Sequence, residues 1–513
     1  MPENIRKKIL RNTTFNFFAR IIHLSVSLFT IPVIVAYVGE SRYGIWAALF
    51  AFADYFNMLD MGFGAATVKY TADFYAIKNI RRIGEMLTTA LIFYLITVSV
   101  TIFPFCFAGN IVSFFKVPPA YFDEAVFILK GVLLLFVLNQ ITGVFRNALN
   151  GLQRMDIQNL FEISYTILYA AIVILVLKSG MGLKGLIVSI GVLRTFTAIG
   201  QSLCVIKLIP EIKDGFGIFN QEIFKSFFSY GIKLQITSVA GLFNFQLDKL
   251  LIGHFLKIEM VAFYELGSKI AMFVRYIPSV LTSALIPASA ELSTVGDRER
   301  LKQMHLRGAK YIIFVAAPIA IFLIIMAPSV LMLWINLKDY SHAVLALRLL
   351  SVAYFFNIIT GVITSIGRGI GMVHYEMYTS LLIVLMNLIL SLSLIITMGF
   401  IGALIGTVIT MIIGNMFYIY MFSRYIETPF VSFIRHAAIK PLFAGALAAA
   451  SICICQQYII VNHLLTISTN RATLTVFLLV AGIIFFLVYF CGLILLKFID
   501  KFDVELLKSI GRR

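Results

Sequence analysis

The chain has 513 residues, of which 60% are hydrophobic and only 13% charged, with a formal net charge of +17. A soluble fold of this length has no means of hiding so much apolar surface. The apolar residues also come in blocks long enough to cross a hydrocarbon core of ~30 Å, which excludes the alternating ten-residue pattern of a membrane β-barrel.

Taken in chain order, the blocks predict fourteen helical spans. They lie near residues 14–38, 43–66, 84–108, 122–146, 157–178, 183–208, 227–253, 259–287, 307–333, 341–366, 375–398, 400–423, 435–460 and 473–497. The expected fold class is an all-α polytopic membrane protein. The N-terminal MPENIRKKILRN is a basic lead-in to a first span too long for the apolar region of a cleavable signal peptide. Connections are short, and the longest, around Pro210–Lys225, has no room for a soluble domain. Cys106, Cys204, Cys453, Cys455 and Cys491 all fall in apolar runs and read as small packing residues. No metal or other cofactor is expected.

The cations sort by side. One set of connections carries Lys69, Lys78, Arg81 and Arg82, then Arg298, Arg300 and Lys302, then Arg424, Arg435 and Lys440. The opposite set carries far fewer, among them Arg42, Lys116, Lys257 and Lys338. By the positive-inside rule both termini of this multi-pass protein are expected to be cytoplasmic. The positive charge is then a topology signal, and nucleic acid is not expected as a partner.

The chain also repeats itself. NQITGVFRNALNG (Asn139–Gly151) and NIITGVITSIGRG (Asn357–Gly369) share six of thirteen positions at an offset of 218. The same offset pairs Lys130 with Arg348, and an offset of 217 pairs Met181–Gly185 with Met398–Gly402. Spans 1–6 therefore repeat as spans 7–12. Six is even, so the copies enter the membrane from the same side, as in two-lobed transporters with parallel repeats. The expected divisions are residues 1–210 and 211–426 for the two six-helix lobes, and 427–513 for two additional helices and a tail.

Ionisable residues at bilayer depth are costly and point to a cavity or a partner. On span 1, Asn12, Thr13, Asn16, Arg20, His23, Ser27 and Thr30 follow helical spacing. On span 2, Trp46, Asp54, Asn57, Asp60 and Gly64 do the same. On span 8 the stripe is Glu265, Ser268, Lys269, Arg275, Ser279, Thr282 and Ser283. The candidate substrate-binding cations are Arg20, Arg275, Arg194, Lys130, Arg348 and Lys269. Each has a plainer alternative: Arg20 lies close enough to a span end to snorkel, and Lys130 and Arg348 suit interface anchors. Asp54, Asp60, Asp248 and Glu265 are candidates for cation coupling or for charge pairing. There is no Walker A loop, no HExxH and no GxSxG, so an ATPase, zinc-protease or serine-hydrolase site is not expected and neither is enzymatic activity.

Two stretches carry a family resemblance. IPVIVAYVGESRYGIWAALFAFADYFNMLDMGFGAATVKY (Ile31–Tyr70) holds Gly39, Tyr43, Gly44 and Trp46, then Asp60, Gly62 and Gly64. QLDKLLIGHFLKIEMVAFYELGSKI (Gln246–Ile270) holds Asp248, Lys249, Ile252, Gly253 and Tyr264, with Ala262 where glycine is commoner. Together they resemble the bacterial polysaccharide-biosynthesis, Wzx-type oligosaccharide flippases of the superfamily that includes the MATE multidrug exporters. The resemblance implies transport of an undecaprenyl-diphosphate-linked oligosaccharide from the cytoplasmic to the outer leaflet of the inner (plasma) membrane, for O-antigen, capsule or exopolysaccharide export. The implied partners are the polyprenyl-diphosphate-linked glycan, the lipid bilayer and other polysaccharide assembly proteins. The alternative is a cation-coupled exporter of drugs or metabolites.

Overall fold

A computed structural model of the protein describes residues 3–282, 285–335, 340–461, 471–500, 502, 503 and 505. Ser283, Lys338 and the last eight residues lie outside this set, as do the side chains of Asn12, Thr13 and Asn16. Regular structure among the described residues is helical. In order the helices are α1 (Glu3–Asp54), α2 (Phe63–Ala76), α3 (Ile80–Cys106), α4 (Ala108–Phe114), α5 (Phe122–Gly151), α6 (Met155–Lys178), α7 (Gly182–Leu208) and α8 (Gln221–Phe255). There follow α9 (Glu259–Ala271), α10 (Phe273–Thr282), α11 (Leu285–Val295), α12 (Arg298–Trp334), α13 (Ser341–Ile359) and α14 (Gly361–Gly369). The last four are α15 (Val373–Tyr425), α16 (Phe430–Phe433), α17 (Ile439–Val461) and α18 (Arg471–Leu495).

Ten of these segments are long and apolar enough to cross a membrane as they stand. Two of the ten are each a pair of spans. A straight 53-residue α15 would reach about 80 Å at ~1.5 Å per residue, far more than a bilayer needs. The backbone breaks at Gly399 (φ 63°, ψ −135°), and α1 breaks likewise at Gly39 (φ 80°, ψ 171°), conformations open to glycine because it lacks a Cβ. With both divided, the bent α9–α11 segment counted once and the more polar α8 added, fourteen spans are recovered.

The repeat is written into the element boundaries. α3 starts at Ile80 and α12 at Arg298, 218 apart. Their N-caps, Asn79 and Asp297, are also 218 apart, and their side chains accept from the backbone N–H of Arg82 and Arg300 respectively. Positive-φ turn residues match too: Lys78 (57°) with Gly296 (75°), and Gln153 (58°) with Gly371 (82°). The repeated stretch has a packing reason. A Cβ on Gly151 would meet Thr71 Cβ at 2.5 Å and the Val68 carbonyl at 2.7 Å; a Cβ on Gly369 would run into Ser289 Oγ and the Ile286 carbonyl. Thr71 and Ser289, and Val68 and Ile286, are themselves 218 apart, so the same close helix approach is built twice. Inside a membrane, where burial against lipid gains little, such small-residue contacts hold helices together.

By contacts the chain divides into Met1–Ala262 and Phe263–Arg513. This boundary lies within α9 rather than near residue 210, because α8 packs on α1, α2 and α3. The six-six-two division of the repeat is a different partition of the same chain. In the first unit, Phe63 stacks on Phe93 in a core with Phe227, Tyr94 and Leu149. Ser41 Oγ donates to Glu259 Oε1 (2.6 Å), a contact between residues one repeat apart. In the second unit, α17 and α18 pack on α12 around Met326, Phe485 and Tyr489, whose hydroxyl donates to the Phe314 carbonyl (2.9 Å).

Candidate functional site

Span 2 is not one continuous α-helix, which corrects the expected stripe. After Asp54 the chain tightens into a 3₁₀ turn, Tyr55–Asp60, and leaves it through two left-handed residues, Met61 (φ 45°) and Gly62 (φ 74°). The 100° periodicity that lined up Trp46, Asp54, Asn57, Asp60 and Gly64 therefore stops at Asp54. The two aspartates have different surroundings. Asp60 Oδ1 accepts from Tyr94 Oη (2.5 Å) and from the backbone N–H of Gly64 (3.3 Å), in the first turn of α2. That is a carboxylate holding a helix start in place. Asp54 Oδ2 accepts from Gln246 Nε2 (2.9 Å) on α8, and Asn57 Nδ2 lies 3.4 Å from Asp54 Oδ1.

Around Asp54 the first unit assembles a polar cluster. Gln235 Nε2 donates to the Met58 carbonyl (2.6 Å), tying α8 to the 3₁₀ turn. Asp248 and Lys249 are buried on α8, and Tyr55 lies within electrostatic reach of Asp54 and Asp248. Tyr55 Oη, Asn244 Oδ1 and Gln246 Oε1 are buried without a hydrogen-bond partner among the described residues. Buried polar atoms are nearly always bonded, so Tyr55 next to Asp54, with Asn244 and Gln246 on α8, makes this cluster a candidate site for contacts with a polar group. The sequence reading missed Tyr55, Asn244, Gln246 and Gln235. Gln246 stood two residues before Asp248, but nothing in the spacing linked it to Asp54, 192 positions away.

In the second unit the span 8 stripe is also interrupted, between α9 and α10 at Met272. Arg275 begins the new segment, its N–H donating to the Met272 carbonyl (3.0 Å). Its guanidinium lies over the Tyr354 ring of α13 at 5.7 Å and approaches Met272 Sδ at 3.6 Å. Tyr354 Oη in turn lies 2.9 Å from Ser268 Oγ. Glu265 and Lys269 form an i,i+4 pair at 3.0 Å, with Glu265 buried and Lys269 exposed.

The remaining candidates are scattered. Arg194 on α7 faces α6, with Glu162 Oε2 at 3.8 Å and the Tyr165 ring at 3.7 Å. Lys130 sits over the Phe105 ring (5.2 Å), and Arg348 Nε donates to the Ile324 carbonyl (3.0 Å). Each of these two rests on the helix equivalent to the other's, α3 or α12. Arg20 and His23 are exposed on α1, whereas Thr30 is buried and donates to the Val26 carbonyl.

The fold is that of a many-span helical membrane protein with internal repeats and buried polar clusters, and the comparisons place it in a family. The polysaccharide biosynthesis protein family model matches residues 9–293, more than half of the chain, and the protein belongs to that family. A MatE model matches residues 235–393. The chain is 24% identical over 304 residues to an uncharacterized membrane protein of Methanocaldococcus jannaschii, covering 59% of this chain but only 57% of that protein. It is 19% identical over 352 residues to the "Putative O-antigen transporter" of Shigella flexneri, covering 68% of this chain and 82% of the relative. It is 21% identical over 320 residues to the "Probable flippase AglR" of Haloferax volcanii, covering 61% and 64%. Among solved structures, lipid II flippase MurJ in an inward closed conformation superimposes with a TM-score of 0.69 over 94% of this chain and 98% of that one, at 17% identity. An inward-facing MATE family transporter gives 0.63 over 81% and 96%, at 15% identity. These structures share the many-span helical fold of this chain.

Proposed function

We propose that the protein moves an oligosaccharide linked to undecaprenyl diphosphate from the inner to the outer leaflet of the inner membrane, by alternating access. The product would serve O-antigen, capsule or exopolysaccharide export. The observation that carries this reading is the match to the polysaccharide biosynthesis protein family over more than half of the chain. The site chemistry supports it. Arg275 offers a planar fork suited to phosphate oxygens, and the orphaned Tyr55, Asn244 and Gln246 atoms suit sugar hydroxyls. In this reading the protein is not an enzyme, its termini are cytoplasmic, and other polysaccharide assembly proteins supply and consume its cargo.

The test is leaflet translocation in proteoliposomes with fluorescent lipid-linked glycans. Translocation dependent on the protein is expected; none with any diphosphate-linked glycan overturns the reading. The MatE match over 235–393 favours a second reading, cation-coupled export of drugs or metabolites. Resistance to cationic dyes in cells, without accumulation of lipid-linked sugar when the gene is deleted, would select it.

A further inference from the structure

At the end of the second unit where α12 begins, a cavity of about 480 Å³ opens among α12, the π-helical turn Ile434–Ala438, the start of α17 and the chain just beyond α18. Its lining includes five fixed cations, Arg307, Lys310, Arg435, Lys440 and Lys497, against a single carboxylate, Asp500. Not all five are available. Arg307 lies 3.2 Å from Asp500, and Lys310 lies 2.5 Å from Asp503. Lys440 Nζ donates to the Lys497 carbonyl (2.9 Å) at the end of α18. Arg435 and Lys497 are exposed, and no ion pair is recorded for either among the described residues. The cavity thus keeps an excess of positive charge after its internal pairs are formed.

Apolar residues lie within three positions of the lining cations Lys440 and Lys497 along the chain. Ile439, Phe443, Ile494 and Leu495 are all more than half exposed, Leu495 at 82%. Anionic groups and hydrocarbon are wanted side by side, within one helix turn of each other. A free phosphate satisfies only the first demand. Basic pockets between membrane helices close to the headgroup layer suit anionic lipid headgroups.

We propose that this pocket binds the phosphate headgroup of an anionic phospholipid, with acyl chains against Ile439, Phe443 and Leu495. The site is separate from the polar clusters around Asp54 and Arg275, and its existence does not depend on the cargo. Arg435 and Lys497 make the charge-assisted contacts to the phosphate oxygens. Lys310 and Arg307, held by Asp500 and Asp503, shape the floor.

The test uses the full-length protein in detergent and native mass spectrometry of co-purified lipid, after exposure to phosphatidylglycerol, cardiolipin or phosphatidylethanolamine. Wild type should retain the two anionic lipids in preference to phosphatidylethanolamine. Arg435→Gln/Lys497→Gln, at two exposed positions, should lower retention at least ~10-fold, about three- to fivefold per cation, with the thermal midpoint unchanged. Arg300→Gln/Arg424→Gln removes the same charge from exposed positions outside the pocket and should leave retention unchanged. Equal losses in both double variants would reduce the effect to general surface charge and overturn the site. So would inorganic phosphate binding in the millimolar range without lipid retention, which would assign the pocket to a soluble anion.

Discussion

Arg275 stands over the Tyr354 ring at 5.7 Å and beside Met272, and its planar guanidinium has the geometry to meet two phosphate oxygens at once. Hydrogen bonds to charged groups contribute about 1.5–3 kcal/mol, so Arg275→Ala should slow translocation by ~10- to 100-fold at unchanged protein level. Arg275→Lys should keep part of the rate, since the charge persists while the two-pronged geometry is lost. Wild-type translocation in the Arg20→Ala/Arg275→Ala double variant would remove the cationic role. The two aspartates of span 2 should part company in the same assay. Asp54 accepts from Gln246 and lies beside Asn57 in the polar cluster of the first unit, a position suited to exchanging a proton or an ion. Asp54→Asn should weaken any dependence of transport on the proton or sodium gradient. Asp60→Asn should instead lower the thermal midpoint in detergent, because it loosens the grip on Tyr94 and on the first turn of α2.

Helix contacts turn on single atoms. Gly369→Ala puts a Cβ onto Ser289 and the Ile286 carbonyl, an overpacking expected to cost about 1–3 kcal/mol. Gly241 in α8 has open space around its Cβ direction, and Gly241→Ala should be neutral or gain about 0.5–1 kcal/mol of helix preference. Equal midpoints for both variants would deny the close approach. The segment beyond α18 is fastened differently. Asp503 accepts from Lys310 and from Tyr311 (2.5 Å), while Asp500 faces Arg307 and Lys310. Burial pushes both carboxyls up, but these partners and the reciprocal backbone bonds between the two aspartates outweigh it and hold both below the ordinary carboxylate value. A carboxyl depressed in the folded state contributes stability above its unfolded value near ~3.9 and loses it as pH falls through the lower folded value. The tail should therefore resist proteolysis from neutral pH down to about 4 and be cut readily below that. Unchanged cleavage down to pH 3 would show that apolar contacts alone hold it.

At the scale of the whole chain, charge asymmetry predicts sidedness. A cysteine at Arg42 should label from outside the cell, and cysteines at Lys78 or Arg300 should not; labelling of Lys78 from outside would overturn the span order. Spans, repeat and family were legible because each is a periodic or local signal: apolar length, a 218-residue echo and two short motifs. The 3₁₀ turn was not, since YFNMLD contains nothing that forbids a helix, and only Gly62 hinted at a stop. The pairing of Asp54 with Gln246 depends on how α8 packs against α1, which no periodicity encodes. One matched feature reaches beyond mechanics. The turns at Lys78 and Gly296, and at Gln153 and Gly371, are equivalent corners of the two repeats, and in each pair one copy has glycine while the other carries a side chain in the left-handed region. A residue other than glycine there costs about 1 kcal/mol. The chain thus carries its own paired experiment: one corner built twice in a single molecule, once with glycine and once without, so that each copy shows what the other would look like after substitution.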